Sequence, residues 1–307
     1  MKHYSVLKKE VIDGLNINPD GIYVDATLGY GGHSKEVLKR LRRGFLFAFD
    51  QDEDATSYSE KVLSNISNNF KIFYSNFSFL KEKLAEENIT KVDGIIFDLG
   101  LSSPQIDEKD RGFSFMQNAV LDMRMDKNAS LSAKDIVNNY SYEKLIDIFF
   151  TYGEERYSKS IAKNIIKKRA EKEIIYTKEL VEIIKSSVPL KYFLKNHPER
   201  RIFQAIRIEV NNELEVLKET LYKAIELLNK GGRICVISFH SLEDRIVKHI
   251  FKEKSEVNKI VKGLPEIPKE YLPIIKLINK KPITPSSNEI NENSRSKSAK
   301  LRIIERL

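Results

Sequence analysis

The chain has 307 residues, 41% of them hydrophobic, and a formal charge of +8. Its single cysteine, Cys235, excludes an internal disulfide. No apolar run approaches the roughly 20 residues of a membrane-spanning helix, and Met1–Glu10 has neither the apolar core nor the cleavage pattern of a secretory signal, so a cytoplasmic protein of one large or two smaller domains is expected.

In chain order, the β-branched and aromatic run Ile22–Asp25 predicts a strand. A glycine turn follows in Asp25-Ala26-Thr27-Leu28-Gly29-Tyr30-Gly31-Gly32-His33-Ser34, and Lys35–Leu41 predicts a helix. Further strands are predicted at Leu46–Asp50, Lys71–Tyr74 and Val92–Leu99. Strands alternating with helices imply a parallel, doubly wound α/β sheet. Ligands of such sheets lie beyond the carboxyl ends of the strands, where Asp25, Asp50 and Asp98 fall.

After Pro104 the pattern changes. From about Ser132 to Val210 the periodicity is helical, with helices predicted at Ser141–Tyr152, Glu155–Lys172 and Thr177–Ser187. A helix over Glu213–Asn229 is expected to stop at Gly231-Gly232, before a buried strand over Arg233–Phe239 that contains Cys235 as a small apolar residue. The proline-bearing stretch Pro265–Pro285 predicts an irregular connection, and Lys300–Leu307 a final strand. A crossover between parallel strands needs only about a dozen residues, far fewer than separate the Asp98 and Cys235 strands. A helical domain at 106–202 is therefore expected, inserted into a discontinuous sheet domain made of 1–105 and 203–307.

Strand, glycine turn and helix bring a backbone close to a nucleotide-like ligand, and Asp50 stands about 20 residues beyond the glycines, where a ribose-binding acid belongs. The dinucleotide fingerprint Gly-x-Gly-x-x-Gly fails at Ser34. An acid four residues before Gly-x-Gly, here Asp25, Gly29 and Gly31, resembles motif I of the S-adenosylmethionine-dependent methyltransferases. A cationic methionine moiety gains from a strand-end carboxylate, whereas a pyrophosphate does not. The run Asp98-Leu99-Gly100-Leu101-Ser102-Ser103-Pro104-Gln105 occupies the place of motif IV in amino-methyltransferases, without their Pro-Pro-aromatic signature. An exocyclic amine has its lone pair delocalised into the ring, so polar acceptors must hold its hydrogens. Asp98, Ser102 and Ser103 are the candidate catalytic residues, with strand-end capping the alternative for Asp98. In Phe239-His240-Ser241-Leu242-Glu243-Asp244-Arg245, His240 is expected at the same sheet edge, as a substrate contact or as a hydrogen-bonded structural residue; Ser241 reads as a helix start. No His, Cys, Asp and Glu spacing suggests a metal site.

With these runs, Arg111-Gly112-Phe113-Ser114-Phe115, Leu121-Asp122-Met123-Arg124-Met125-Asp126, Phe203-Gln204-Ala205-Ile206-Arg207-Ile208 and Ser298-Ala299-Lys300-Leu301-Arg302 make the chain similar, over nearly its whole length, to the bacterial RsmH (MraW) family. The resemblance implies a Rossmann-like class I methyltransferase sheet and transfer of a methyl group from S-adenosylmethionine to N4 of a cytidine in the P-site region of 16S ribosomal RNA. It implies cofactor contacts at Gly31, Gly32, His33, Asp50, Phe77, Asp98 and Gln105. The partner implied is 16S rRNA within the small ribosomal subunit, with no membrane and with a homodimer left open. Because a stacked cytidine must be extruded before its N4 can react, the inserted domain with Arg111, Arg124 and Arg207 is the expected RNA-facing side, alongside His240. Two departures stand out. Asn118-Ala119-Val120 replaces the family's Asp-Gly-Pro, and Lys297 ends a run where the family favours arginine, whose guanidinium fork lysine lacks.

The basic balance, with pI near 9.2, and clusters at Lys167–Arg169, Arg200–Arg201 and Lys280 through Arg302 are consistent with a dispersed footprint on folded RNA. A non-catalytic assembly factor on the same fold is the main alternative. Asp25 and Ser34 disfavour a dehydrogenase, and the altered motif IV loop disfavours a DNA amino-methyltransferase.

Overall fold

The structure, a computed structural model, describes residues 5–261 and 265–307. Seven strands form one sheet: β1 (Ile22–Asp25), β2 (Phe45–Asp50), β3 (Phe70–Tyr74), β4 (Val92–Asp98), β5 (Leu228–Ser238), β6 (Ile275–Leu277) and β7 (Lys300–Arg306). Their order is β3-β2-β1-β4-β5-β7-β6, with β1 to β5 parallel and β7 antiparallel to both its neighbours. The registers Asp25 with Ala48 and Ile96, Asp50 with Tyr74, and Asp98 with Ile237 set the acids at the carboxyl edge.

The helices are α1 (Lys8–Leu15), α2 (Gly32–Leu38), α3 (Glu53–Ser64) and α4 (Leu80–Glu86), then α5 (Ser103–Asp107), α6 (Ala133–Asn139), α7 (Tyr142–Thr151), α8 (Ser158–Glu171), α9 (Thr177–Ser186), α10 (Leu190–Asn196) and α11 (Pro198–Asn211), and finally α12 (Glu213–Leu227), α13 (Ser241–Ser255) and α14 (Ser287–Glu292). Successive side chains of a strand point to opposite faces, and here both faces are covered. Val24, Phe47, Phe49, Ile95 and Phe97 pack with α4, α12 and α13, while Tyr23, Leu46, Ala48, Ile96 and Cys235 pack with α1, α2 and α3. Burial on both faces is why these strands read as continuous apolar runs.

The chain divides into two compact units, Met1–Gly100 with Leu214–Leu307, and Leu101–Glu213. The second is helical, with its own core of residues such as Leu121, Ile136, Leu145, Phe149, Ile161, Leu180 and Ile206. Its bounds are wider than 106–202, because Leu101 packs against that core and the α11 residues Phe203, Ile206 and Val210 belong to it.

Three local expectations are corrected. The helix after the glycine turn starts at Gly32, three residues earlier than Lys35, because Gly31 adopts the left-handed conformation and serves as its N-cap. Gly231-Gly232 does not terminate α12, which ends at Leu227; the glycines lie in β5, where the register with β4 shifts between Val92 and Gly94. Within the stretch expected to be irregular, β6 pairs with β7 at the sheet edge, the one place where nearby prolines such as Pro273 and Pro282 are tolerated. No helix among the described residues is long and apolar enough to cross a membrane.

Candidate active site

The glycine turn is fixed at both ends by carboxylates. Asp25, 1% exposed at the end of β1, accepts the Thr27 N–H on Oδ1 at 3.2 Å and the Ser34 hydroxyl on Oδ2 at 2.7 Å. Asp50, at the end of β2, accepts the Gly29 N–H on Oδ2 at 2.7 Å and the Asp52 N–H on Oδ1 at 2.9 Å. Between them Gly31 has φ of 74°, and a Cβ there would sit 3.2 Å from Ser59 Oγ, which itself donates to the Gly29 carbonyl at 2.8 Å. Only glycine holds that conformation at low cost.

Burial pushes the Asp50 carboxyl up to about 6, against the two N–H groups that favour its ionised form. Burial likewise raises Asp25, with His33, Ser34 and Thr27 opposing. Each Asp50 oxygen takes one N–H among these bonds, and a carboxylate oxygen has two acceptor positions. The group can therefore accept two further hydroxyl donors, as a ribose would present.

Thr27 ties the turn to the next strand, its Oγ1 accepting the Asp98 N–H at 2.6 Å. His33, 4% exposed in the first turn of α2, has Nε2 at 3.4 Å from Asp98 Oδ2. That is ion-pair range, but neither ring nitrogen makes an aligned hydrogen bond, and Asp98 Oδ1 is also buried without a partner. Burial lowers the affinity of His33 for its proton; Asp98 and Asp25 together outweigh this, and the net shift is upward. Phe77 begins a 3-10 turn capped by Asn76, whose Nδ2 donates to Gln51 Oε1 at 2.7 Å. The Phe77 ring meets Phe97 edge-on at 5.7 Å. Gly31, Gly32, His33, Asp50, Phe77 and Asp98 thus all belong to the carboxyl side of the sheet unit.

The remaining candidates are placed differently. Ser102 and Gln105 form a capping box on α5: Ser102 Oγ accepts the Gln105 N–H at 3.4 Å, and Gln105 Oε1 accepts the Ser102 N–H at 3.0 Å. Ser103 is the first residue of α5, and its side chain lies outside the described residues. Three arginines expected to face RNA are turned into the helical unit. Buried Arg111 donates to the carbonyls of Arg124 and Met125, both at 3.0 Å. Arg124 grips Asp122 through Nε and Nη2 at 2.9 and 2.7 Å, and Arg207 grips Glu213 at 2.8 and 3.0 Å. A guanidinium committed to a buried carbonyl or a bidentate carboxylate is a structural clamp. His240 does stand near the edge marked by Asp98 and Ile237, where it, rather than Ser241, is the N-cap of α13: its Nδ1 accepts the Glu243 N–H at 3.5 Å.

Ser34, Ser59 and Thr27 emerge as supports of the turn. Ser34 was visible in the sequence only as the residue that breaks the dinucleotide fingerprint, whereas its hydroxyl is the partner of Asp25. Ser59 reaches the turn from α3, and no local pattern marks it.

A parallel sheet of this order, closed by an antiparallel β7 and with its acids at the carboxyl ends of β1, β2 and β4, defines a Rossmann-like class I methyltransferase. The sequence profile described as the MraW methylase family matches residues 1–307. A curated relative, Ribosomal RNA small subunit methyltransferase H of Exiguobacterium sibiricum, is 53% identical over 307 residues, covering 100% of this chain and 98% of the relative. The chain belongs to the MraW methylase family. A solved structure of an rRNA methylase from Streptococcus thermophilus aligns with TM-score 0.42 and 13% identity over 98% of this chain and 93% of that one.

Proposed function

We propose that the protein transfers a methyl group from S-adenosylmethionine to N4 of a cytidine in the P-site region of 16S rRNA in the small ribosomal subunit. The observation that carries this reading is the strand-end set of Asp25, Asp50 and Asp98 around the glycine turn, in a chain that matches an rRNA small-subunit methyltransferase along its length. The residues present fit the cofactor. Asp50 has acceptor positions left for ribose hydroxyls, and Gly31 leaves the turn without a side chain. Gly31, Gly32, His33, Asp50, Phe77 and Asp98 would hold it, with Gln105 of the helical unit included through the family resemblance alone. Bound S-adenosylmethionine supplies an electrophilic methyl group on a sulfonium.

The protein's own share is acceptor placement. Asp98 accepts a hydrogen of the exocyclic amine and so aims its lone pair, with alignment supplying most of the acceleration; Ser102 and Ser103 are candidate acceptors from the sequence alone. The amine's surplus proton leaves to water, so no obligatory base is required. The helical unit is the RNA-recognition part. Exposed Arg156, Lys191, Lys195 and Arg200 have no carboxylate in ion-pair range among the described residues, and Arg156 lies 5.2 Å from the Tyr157 ring centre and 6.0 Å from that of Tyr192. Cations beside aromatic faces suit an RNA strand.

The test is incubation with methyl-labelled S-adenosylmethionine and unmodified small subunits, followed by digestion and identification of the labelled nucleoside. Label in N4-methylated cytidine is expected. Absence of label, despite binding of both cofactor and subunit, would leave an assembly factor on a methyltransferase fold.

A further inference from the structure

We propose that the His33 side chain is a positioning residue for methyl transfer: as an imidazolium it pairs with Asp98 Oδ2 and fixes the orientation in which that carboxylate accepts a hydrogen of the target amine. The inference rests on the methyl-transfer reading above and adds a side-chain role to a residue so far placed only in the cofactor turn.

The geometry sets His33 apart from a structural histidine. Buried side-chain polar atoms nearly always have a partner, yet both His33 ring nitrogens lack a hydrogen bond at 4% exposure. Nε2 lies 3.4 Å from Asp98 Oδ2, and Asp98 Oδ1 is likewise buried and unpartnered. Asp25 is already engaged by Ser34 and Thr27 on separate oxygens. Asp98 is anchored to Thr27 only through its main-chain N–H, which leaves the rotation of its carboxylate unrestrained from that side. Among the described residues, His33 is the one cation in ion-pair range of that carboxylate.

The charged groups acting on His33 come from three elements. Asp98 on β4 and Asp25 on β1 favour the imidazolium, while burial and Lys8 on α1 oppose it, and the carboxylates prevail. The rotation of the Asp98 carboxylate is thereby fixed by His33, while the side chain keeps 23% of its surface exposed for an amine to reach. A carboxylate held in one orientation is what is needed to direct an amine whose lone pair must be drawn out of conjugation with the ring.

Two measurements test the pairing. The first follows the His33 imidazole by NMR titration in the protein without RNA, in the wild type and in Asp98→Asn. The wild-type imidazole is expected to titrate above the ordinary histidine range, and removal of the Asp98 charge to lower that midpoint by about one pH unit. The second compares kinetics of the wild type and His33→Gln, whose amide can donate a hydrogen bond but carries no charge. The variant is expected to lose about 10- to 100-fold in kcat at saturating cofactor, over and above any change in cofactor KM. It should also lose the wild type's decline in rate as pH rises through the imidazole midpoint. An imidazole that titrates in the ordinary range and ignores Asp98→Asn would overturn the proposal. So would wild-type kcat and pH profile in His33→Gln, or a loss confined to cofactor KM. If either variant fails to fold, the wild-type titration still decides whether His33 is an imidazolium in the working range. Failure of the wild type to methylate any RNA would defeat the methyl-transfer reading instead, leaving the Asp98→Asn titration to report on the pairing itself.

Discussion

Asp50 joins two roles in one carboxylate: it fixes the glycine turn through the Gly29 and Asp52 N–H groups, and it is the proposed ribose ligand. Burial raises its carboxyl to about 6. The folded protein therefore holds this proton more tightly than the unfolded chain, and the contribution of Asp50 to stability declines as pH rises from about 4 to about 6. Hydroxyl donors favour the ionised form, so cofactor affinity should move the other way. Binding measured by calorimetry is expected to be flat above about pH 7 with respect to this group and to weaken below pH 6, approaching about tenfold per pH unit. Asp50→Asn should remove that dependence; an unchanged slope in the variant would assign the titration to another group.

At the scale of elements, the loop between α5 and α6 is the least forgiving part of the helical unit. Gly112 has φ of 70°, and a Cβ there would lie 2.2 Å from the Val120 carbonyl oxygen. On either side, Arg111 donates to two carbonyls while its own carbonyl accepts the Met123 N–H at 3.0 Å. Asn211 on α11 closes the loop by accepting the Met125 N–H and donating to the Met123 carbonyl, both at 2.8 Å. Gly112→Ala forces backbone displacement in a strained region, and a loss of about 1–3 kcal/mol in urea unfolding is expected. Stability within about 0.5 kcal/mol of the wild type would mean the loop yields without cost.

That loop also marks the limit of what the sequence discloses. Buried strands ending in Asp25, Asp50 and Asp98 are recognisable because apolar runs and the acids that close them are local signals. An arginine gives no such signal. Arg111, Arg124 and Arg207 read as surface cations until the carbonyls and carboxylates that satisfy them are located, and Glu213 is reached only by a turn between two helices. The three-residue strand β6 is invisible for a related reason: its pairing with β7 is tertiary, and Ile275-Lys276-Leu277 has no period long enough to declare itself. The Asn118-Ala119-Val120 departure from the family pattern is absorbed in the same way. Ala119 exchanges backbone and hydroxyl bonds with Thr177, and Val120 bridges Tyr176.

Among the described residues, the positive charge is divided between clamps and cations with no carboxylate in ion-pair range. Lys300 and Arg302, part of one basic cluster in the sequence, both pair with Asp244 at 3.1 and 2.7 Å. Arg156 and Lys195 do not pair in this way, and the RNA reading assigns them phosphate contacts. Each phosphate contact contributes about 0.7–0.9 to the slope of log affinity against log salt. The double substitution Arg156→Ala with Lys195→Ala is thus expected to flatten the salt dependence of subunit binding by about 1.5, while kcat at saturating subunit is retained. An unchanged slope would move the footprint off this corner.

The placement of the helical unit between β4 and β5 has a kinetic consequence. These strands are hydrogen-bonded neighbours, yet the whole of Leu101–Glu213 separates them along the chain. Contacts such as those of α7 with α8 join segments close in sequence, and those of α11 with α7 still fall inside the insert, whereas β4 cannot meet β5 until that entire stretch has been synthesised and its ends brought together. During synthesis the chain would therefore carry a β4 edge that is apolar and open, a template for intermolecular pairing. Pulse-labelled hydrogen exchange during refolding is expected to protect α7 and α8 amides before those of β5, and simultaneous protection would contradict that order. A helical insert that forms early would shorten the effective span to be closed, making the helical unit a folding aid for the sheet that interrupts itself to contain it.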